Sequence, residues 1–235
     1  VKALGYEPYV SAKGINAYGY INCAMQIDIK LAGKSDKDAL TYGDVIHLLF
    51  SALEVSILEP KTYSSEKIEY TNRTGKTPLS AWRDIYVTQG ILYNFENGTA
   101  SISVSSIGEK CVRIGNEIYS IGEVNAAEFL GYAVKGYYYG GNKTPENELV
   151  SVIPLRGKNE ITSIDAKDIV RYKDNVLIVK SGNRNKKYNI SPATDIIYNG
   201  EAVNYENRDK ALNIDCGTVL INKVNFEGVN SVVIV

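Results

Sequence analysis

The feature that most constrains the fold is a recurring pattern of short apolar runs joined by turn-forming dipeptides. Gly115-Asn116 lies between CVRI and EIYSI, Asn199-Gly200 lies between DIIY and EAV, and Asn97-Gly98 lies between DIYVTQGILYNF and TASISVSS. Such dipeptides supply the positive φ angles that close a two-residue hairpin, so each pair of runs predicts two antiparallel strands. Residues 82–235 are therefore predicted to form a predominantly antiparallel β domain, a barrel or a sandwich.

The composition of the chain agrees with a β-rich protein. It has 18 tyrosines but only 4 phenylalanines, and it also has 20 glycines. This mixture is typical of tyrosine-bearing strands joined by tight turns. NAAEFL, residues 125–130, predicts one short helix that ends before Gly131. The terminal SVVIV predicts a buried strand. Further strands are predicted at 131–139, 148–153, 168–173, 176–180, 186–190 and 218–221.

The first 58 residues have a different pattern, that of a short helix, a polar loop and a second helix. In the stretch LTYGDVIHLLFSALEV, Thr41 is placed as the N-cap and Asp44 as the acid of a capping box. The apolar residues from Val45 to Leu53 cover more than one helix face, which predicts a mostly buried helix. His47, the chain's only histidine, is expected to pack in that setting and to bond to a backbone carbonyl.

Residues 59–81 are predicted to be a linker or an extended arm, because polar and turn-forming residues replace the apolar periodicity. The GKTP within this segment does not predict a phosphate-binding loop. That motif needs another glycine a few positions before Gly-Lys, and residues 66–74 contain none. The predicted organisation is thus a mixed α+β chain with a helical part over 1–58, a linker over 59–81 and a β domain over 82–235.

Charge and reactive residues narrow the function classes. With 26 basic and 27 acidic residues the net charge is −1, so no overall field favours nucleic acid or an anionic membrane. No apolar run reaches the roughly 20 residues of a membrane helix, which predicts no membrane insertion. Cys23, Cys111 and Cys216 are too scattered, with one histidine, to predict a zinc site. No sequence motif of nucleophilic or zinc-dependent catalysis occurs, so we expect a non-catalytic protein without a cofactor.

The N-terminal pattern resembles the S-layer homology module of bacterial cell-surface proteins. In such modules a helix with an aromatic and small apolar residues is followed by a glycine-containing loop and a second helix that starts with threonine. The resemblance covers about the first quarter of the chain. The residues that follow it are Gly19, Tyr20, Ile21, Ala24, Ile27, Leu40, Thr41, Asp44, Val45, Leu48, Leu49, Ala52 and Leu53.

The remainder resembles the β-rich region that follows these modules in large clostridial surface proteins. The resemblance rests on GEKCVRIGNEIYSIGEVNAAEFLGYAV, on YYY with LVSVIPL, on DIIYNGEAV and on the closing GTVLINKVNFEGVNSVVIV. It implies an extracellular location at the cell surface or cell wall. The start at Val1 without Met suggests a piece of a longer protein.

The start of the second helix departs from the family pattern at one position. S-layer homology modules commonly carry arginine after the helix-starting threonine, where it helps to bind an anionic, pyruvylated wall polysaccharide. Here Tyr42 stands at that place, and a phenol supplies no fixed positive charge. The resemblance therefore implies Thr41, Tyr42 and Asp44 as candidate binding residues, with a scaffold role as the alternative to wall-polymer binding.

Two further stretches are candidates for ligand binding. In GYAVKGYYYGGN, residues 131–142, Tyr137 and Tyr138 can form a sugar-binding surface, or alternate tyrosines can pack on opposite faces of a strand. KSGNRNKK, residues 180–187, can contact an anionic wall polymer or can form a solvated hairpin loop. In 222–230, NKVNFEGVN, a hairpin turn is favoured over a calcium site because the segment has one carboxylate.

These observations lead to two functional hypotheses. The first is a non-catalytic structural or attachment protein of the cell surface, whose partners are a secondary cell-wall polysaccharide or neighbouring surface-protein domains. The alternative is a carbohydrate-binding accessory module of a surface enzyme.

Overall fold

The chain divides into two compact units, unit 1 (Val1–Tyr86) and unit 2 (Val87–Val235). The computed structural model describes residues 1–11, 15–29, 34, 37–63, 68–72, 76–94, 111–140, 147–192, 194–198, 201–203, 205–224 and 232–234. The mixed α+β class with antiparallel sheets is confirmed. The division at residues 58 and 81 stays a prediction.

The described part of unit 1 combines four α-helices and the 3-10 helix Lys2–Leu4 with a two-stranded sheet. The helices are α1 (Glu7–Ser11), α2 (Ala17–Gln26), α3 (Tyr42–Leu53) and α4 (Pro78–Arg83), and the strands are β1 (Leu58–Tyr63) and β2 (Ile68–Asn72). Its core is formed by Leu4, Tyr6, Val10, Cys23, Ile29 and Leu58. The predicted succession of helix, loop and helix corresponds to α2 and α3.

The segment predicted as a linker over 59–81 has regular secondary structure. It contains most of the antiparallel pair β1–β2 and the start of α4. Thr77, the threonine of GKTP, is the N-cap of α4: its Oγ1 accepts a hydrogen bond of 3.2 Å from the Ser80 amide, and Pro78 stands in the first turn. Proline suits that position because its missing N–H is not needed there, so this threonine-proline pair begins a helix.

The prediction that α3 is mostly buried is wrong. Leu48 and Ala52, one helical turn apart, pack against the unit 1 core, but no residue of α3 is fully buried. Ile46 and Leu49 are 66% and 63% exposed. The apolar residues cover more than one face of the helix, and only one face meets the core of the unit.

Unit 2 contains three sheets. The first has the strand order β5 (Glu117–Ser120), β4 (Cys111–Ile114), β3 (Ile85–Asn94), β6 (Ala133–Tyr139) and β7 (Leu149–Pro154). The second has the order β13 (Glu201–Ala202), β12 (Asp195–Tyr198), β15 (Val232–Ile234), β14 (Thr218–Val224) and β8 (Asn159–Asp165). The third has the order β11 (Arg184–Asn189), β10 (Val176–Ser181) and β9 (Ile169–Lys173). Apart from β12 and β15, which run parallel, the strand registers that the structure describes are antiparallel. None of these sheets closes on itself within the described strands. The described strands therefore form no closed barrel.

Within the described residues, four short helical elements lie among the strands of unit 2, including 3-10 helices at Ala166–Asp168 and Tyr205–Asn207. The 3-10 helix Ala126–Phe129 lies at the predicted helix 125–130, and α5 (Arg208–Leu212) was not predicted. Strand β3 begins at the end of unit 1.

The turn predictions are met where the structure describes the turn. Gly115, with φ of +60°, closes the hairpin in which Ile114 pairs with Glu117. The strands that flank residues 199–200 pair as predicted, Tyr198 with Glu201, although the dipeptide itself lies outside the described residues. The predicted hairpin at residues 97–98 and the predicted turn within 222–230 also fall, wholly or in large part, outside them. The strand predicted from SVVIV is present as β15.

Two asparagines join the first and second sheets. Asn159 in β8 accepts hydrogen bonds at Oδ1 from the Ala133 amide (2.8 Å) and from Asn222 Nδ2 (3.0 Å), and its Nδ2 donates to the Ala133 carbonyl (2.9 Å). Asn222 in β14 is completely buried and also donates to the Gly131 carbonyl at 3.0 Å. Beside this network, Ile91 and Ala133 share a core cluster with Ile197 and Val224. Polar and apolar contacts therefore link the same two sheets.

Candidate functional site

The predicted binding residues at the start of α3 form a complete capping box. Thr41 Oγ1 accepts from the Asp44 amide at 3.2 Å, while the Thr41 amide and hydroxyl both donate to Asp44 Oδ2 at 2.8 Å. Lys34 Nζ lies 3.2 Å from the same carboxylate oxygen. The polar groups of Thr41 and Asp44 are thus engaged in starting the helix, which gives both residues a structural role.

These contacts explain why the pKa of Asp44 is lowered from its ordinary value. The largest cause is the hydrogen bond from the Thr41 backbone, followed by that from its hydroxyl, and Lys34 adds to both. The helix N-terminus carries a partial positive charge from its free amides and favours the ionised carboxylate in the same direction. The site is therefore built to keep Asp44 negatively charged.

Tyr42, the third predicted residue of this group, points into solvent. Its side chain is 92% exposed, at the position where the family resemblance implies an arginine. A phenol at this place offers an aromatic face and a hydroxyl group that can both donate and accept a hydrogen bond. The exposed tyrosine can contact a ligand, but it cannot form the bidentate pair that a guanidinium makes with a carboxylate.

His47 does not occupy the packed environment that the sequence predicts. It is exposed, and its Nδ1 lies 3.2 Å from the hydroxyl of Ser51, one turn later on the helix. The Ser51 hydroxyl donates its proton to the His47 carbonyl at 2.8 Å. Because that proton is directed at the backbone, the imidazole does not activate the serine as a nucleophile in this arrangement.

The structure places the two tyrosines predicted to bind sugar largely inside unit 2. Tyr137 is only 6% exposed, and Tyr138 is half-buried with its ring centroid 4.9 Å from that of Tyr119. The register of β6 against β7 shifts here because β7 contains one extra residue, Val150. Val134 and Tyr138 of β6 belong to one core cluster and Ala133 to another, so both faces of this strand are covered.

Tyr139 is the residue of this aromatic run that reaches the surface. It is 43% exposed and lines a concave site of about 580 Å³ between the 3-10 helix Ala126–Phe129 and β7. Asn125 Nδ2 donates to Glu128 Oε1 at 2.7 Å within this site. Its lining residues are Glu123, Val124, Asn125, Glu128, Phe129, Tyr139, Glu148, Leu149, Val150, Ser151 and Val152.

This concave site combines an aromatic side chain with carboxylate and amide groups that accept and donate hydrogen bonds. Such a set suits a hydroxyl-bearing ligand that presents one apolar face. The sequence indicated part of this site, since Tyr139 ends the YYY run that is a candidate sugar-binding surface. Glu123 and Glu148 line the site only because β7 folds beside the 3-10 helix, and no local sequence pattern predicts this.

The described residues give few indications of metal or covalent chemistry. They contain no cluster of three or more histidine, cysteine or acidic side chains that is arranged to hold a metal ion. Cys23 is buried, Cys111 is half-buried and Cys216 is exposed, and all three are free thiols. Within the same residues, none of the helices has both the length and the apolar character needed to cross a membrane.

Comparison with protein-family models, with curated proteins and with solved structures finds no match for this chain.

Replacing Asp44 tests the electrostatic role of the capping box. Because the folded-state pKa of Asp44 is lowered, its stabilising contribution is present above the ordinary carboxyl pKa of about 3.9 and is lost as pH falls through its folded-state value. Asp44→Asn should therefore lower the stability of unit 1 at neutral pH. The variant should also lose less stability than wild type when the pH is lowered. Thermal unfolding from neutral to acidic pH measures both effects.

Asp28→Asn is the matched control for loss of one negative charge from unit 1. Parallel stability curves for wild type and Asp44→Asn over the whole pH range would show that the carboxylate contributes no pH-dependent stability.

Proposed function

We propose that the chain is a non-catalytic structural or attachment module of a bacterial cell-surface protein. The observation that carries this proposal is the capping box of Thr41 and Asp44 at the start of α3. It stands where the S-layer homology resemblance implies the start of the second helix. Leu48 and Ala52 then pack into the core of unit 1, as expected for the second helix of such a module.

The contact with a wall polymer is proposed at the exposed beginning of α3. Tyr42 is the candidate contact residue there because its side chain is almost fully exposed, whereas the side chains of Thr41 and Asp44 are engaged in the helix cap. Without an arginine at this position, binding would rest on hydrogen bonding and on the aromatic face, and it would be weaker than binding through a bidentate ion pair. The cell-surface location is part of the same proposal.

Unit 2 serves in this proposal as a rigid β scaffold. We propose a sandwich arrangement for its two five-stranded sheets. The shared apolar cluster of Ile91, Ala133, Ile197 and Val224 supports it, as does the hydrogen bond of 2.7 Å from Tyr93 in the first sheet to Asp195 in the second.

Sedimentation with wall material tests the attachment function. The folded protein is expected to pellet with purified peptidoglycan that carries its secondary polymer, and less with peptidoglycan stripped of that polymer. Tyr42→Ala should lower the pelleted fraction without loss of folding, since the side chain is almost fully exposed. Tyr18→Ala, which removes another exposed tyrosine of unit 1, is the matched control.

Attachment through α3 would be contradicted if Tyr42→Ala and wild type pelleted equally. Recovery of the folded wild-type protein in the supernatant of every wall preparation would contradict wall attachment altogether.

A second candidate function, a carbohydrate-binding accessory module, is favoured by the concave site at Tyr139. The predicted tyrosines 137 and 138 are poor probes of it, because replacing a buried tyrosine disturbs packing as well as binding. Tyr139 is exposed enough to stack on a sugar ring, with Asn125 and Glu148 nearby in the same concave site.

A glycan array separates this candidate from a scaffold without sugar binding. If the site binds sugar, Tyr139→Ala should lose the wild-type glycan signal, and Tyr198→Ala, a change at another exposed tyrosine of unit 2, should retain it. A signal that survives Tyr139→Ala would exclude this concave site as the sugar-binding surface.

A further inference from the structure

The third sheet of unit 2 carries a charge unlike that of the chain as a whole. Residues 169–189, which form β9, β10 and β11 with their turns, contain six basic residues and one acidic residue, Asp174. This segment has a net charge of +5 in a chain whose net charge is −1. The remaining residues are therefore acidic on balance, so the positive charge is concentrated on one small sheet.

The strand register brings four of the six cations to one face of this sheet. Ile178 of the central strand β10 pairs with Arg171 of β9 on one side and with Lys187 of β11 on the other. Directly paired residues point to the same face, and so do residues two apart on a strand. Lys173, two residues from Arg171, and Lys180, two residues from Ile178, therefore lie on this face as well. We call Arg171, Lys173, Lys180 and Lys187 the basic face.

The opposite face of the sheet fixes the direction in which the basic face points. Leu177 of β10, with no exposed area, and its neighbour Tyr172 of β9 belong to a core cluster of unit 2. Val179 lies in the same cluster. Because successive side chains of a strand alternate between the two faces, the four cations point away from this core, and all four are exposed.

All the charged side chains of the basic face are positive. It carries no carboxylate, and within the part of the chain that the structure describes none of its four cations forms an ion pair. Exposed amides of Asn185 and Asn189 lie on the same face, around the half-buried side chains of Val176 and Ile178. The face thus combines fixed positive charge, hydrogen-bonding amides and a small apolar centre.

We infer that the basic face binds a linear polyanion, specifically a glycan chain that carries repeated phosphate or carboxylate groups. Neighbouring strands lie about 4.8 Å apart and side chains two apart on a strand lie about 6.7 Å apart. Four cations on such a grid contact several successive anionic groups of an extended polymer at once. The amides of Asn185 and Asn189 provide donors and acceptors for the hydroxyl groups between those charges.

The chemistry of the face favours a glycan over a single-stranded nucleic acid. Single-stranded nucleic acids are held by aromatic side chains on which the bases stack. The tyrosines of this sheet, Tyr172 and Tyr188, pair with Leu177 and so lie on the opposite, core-facing side. The choice of a glycan as the carrier of the anionic groups rests on the proposed function, whereas the polyanion site itself rests on the register and exposure of the four cations.

Binding to defined soluble polymers tests this inference. The probes are polygalacturonate, which carries carboxylates, poly(glycerol phosphate), which carries phosphates, and neutral dextran. We expect binding to at least one anionic polymer, no binding to dextran, and weakening as salt approaches about 0.15 M, since exposed charges are screened over a Debye length of about 8 Å there. Calorimetric titration with each polymer gives the affinities.

Charge reversal with a matched control locates the site. Lys180→Glu combined with Lys187→Glu should weaken binding about tenfold or more, since it removes half of the cations and adds two repulsive charges. Arg156→Glu combined with Lys158→Glu makes the same change in net charge at exposed positions between β7 and β8 and should leave binding near wild type. Circular dichroism shows that each variant is folded.

Three results would overturn the inference. They are no binding to either anionic polymer at low salt, equal losses in the two charge-reversal variants, or tighter binding to a single-stranded oligonucleotide or to phosphatidylglycerol vesicles than to both anionic polymers. None of these depends on Tyr42 or on wall preparations. Failure of the inference is therefore distinguishable from failure of wall attachment through α3.

Discussion

The hydrogen bonds that Asn159 and Asn222 make to the backbone at the start of β6 are the constraint on which the architecture of unit 2 depends. Buried polar groups are costly when unpaired, and here side chains of the second sheet bond to Gly131 and Ala133, at the beginning of a strand of the first sheet. An apolar residue at either position would leave the backbone groups of Gly131 or Ala133 without these partners. The two asparagines therefore favour one relative position of the sheets over others that apolar packing alone would allow.

A scaffold fixed in this way can present different chemistry on its outer surfaces. The third sheet packs one face on a core of Leu177, Tyr172 and neighbouring apolar residues, so the cations of its other face are held at spacings set by the strand register. In unit 1 the same separation of roles occurs at α3. Thr41 and Asp44 start the helix, and Tyr42 between them is left to the solvent. Both candidate contact surfaces are thus exposed side chains on elements whose other contacts are structural.

The features that were predictable from the sequence are local ones. The capping box follows from two side chains three residues apart, and the hairpin at Gly115 follows from a dipeptide that tolerates positive φ. Features that depend on distant partners were missed. Strand β8 begins with the polar pair Asn159 and Glu160, and it is recognisable only beside β14, more than fifty residues later. The burial of Tyr137 and Tyr138 and the exposure of α3 likewise depend on packing that no local pattern encodes.

The free energy of unfolding of the Asn159→Ala variant, from urea denaturation, is the most direct test of this account. The substitution leaves the Ala133 amide and Asn222 Nδ2 without the Asn159 oxygen, which predicts a loss of about 2–4 kcal/mol. Asn189→Ala, at an exposed position of unit 2, should stay within about 0.5 kcal/mol of wild type. An Asn159→Ala protein as stable as wild type would contradict the claim that the paired asparagines hold the two sheets together.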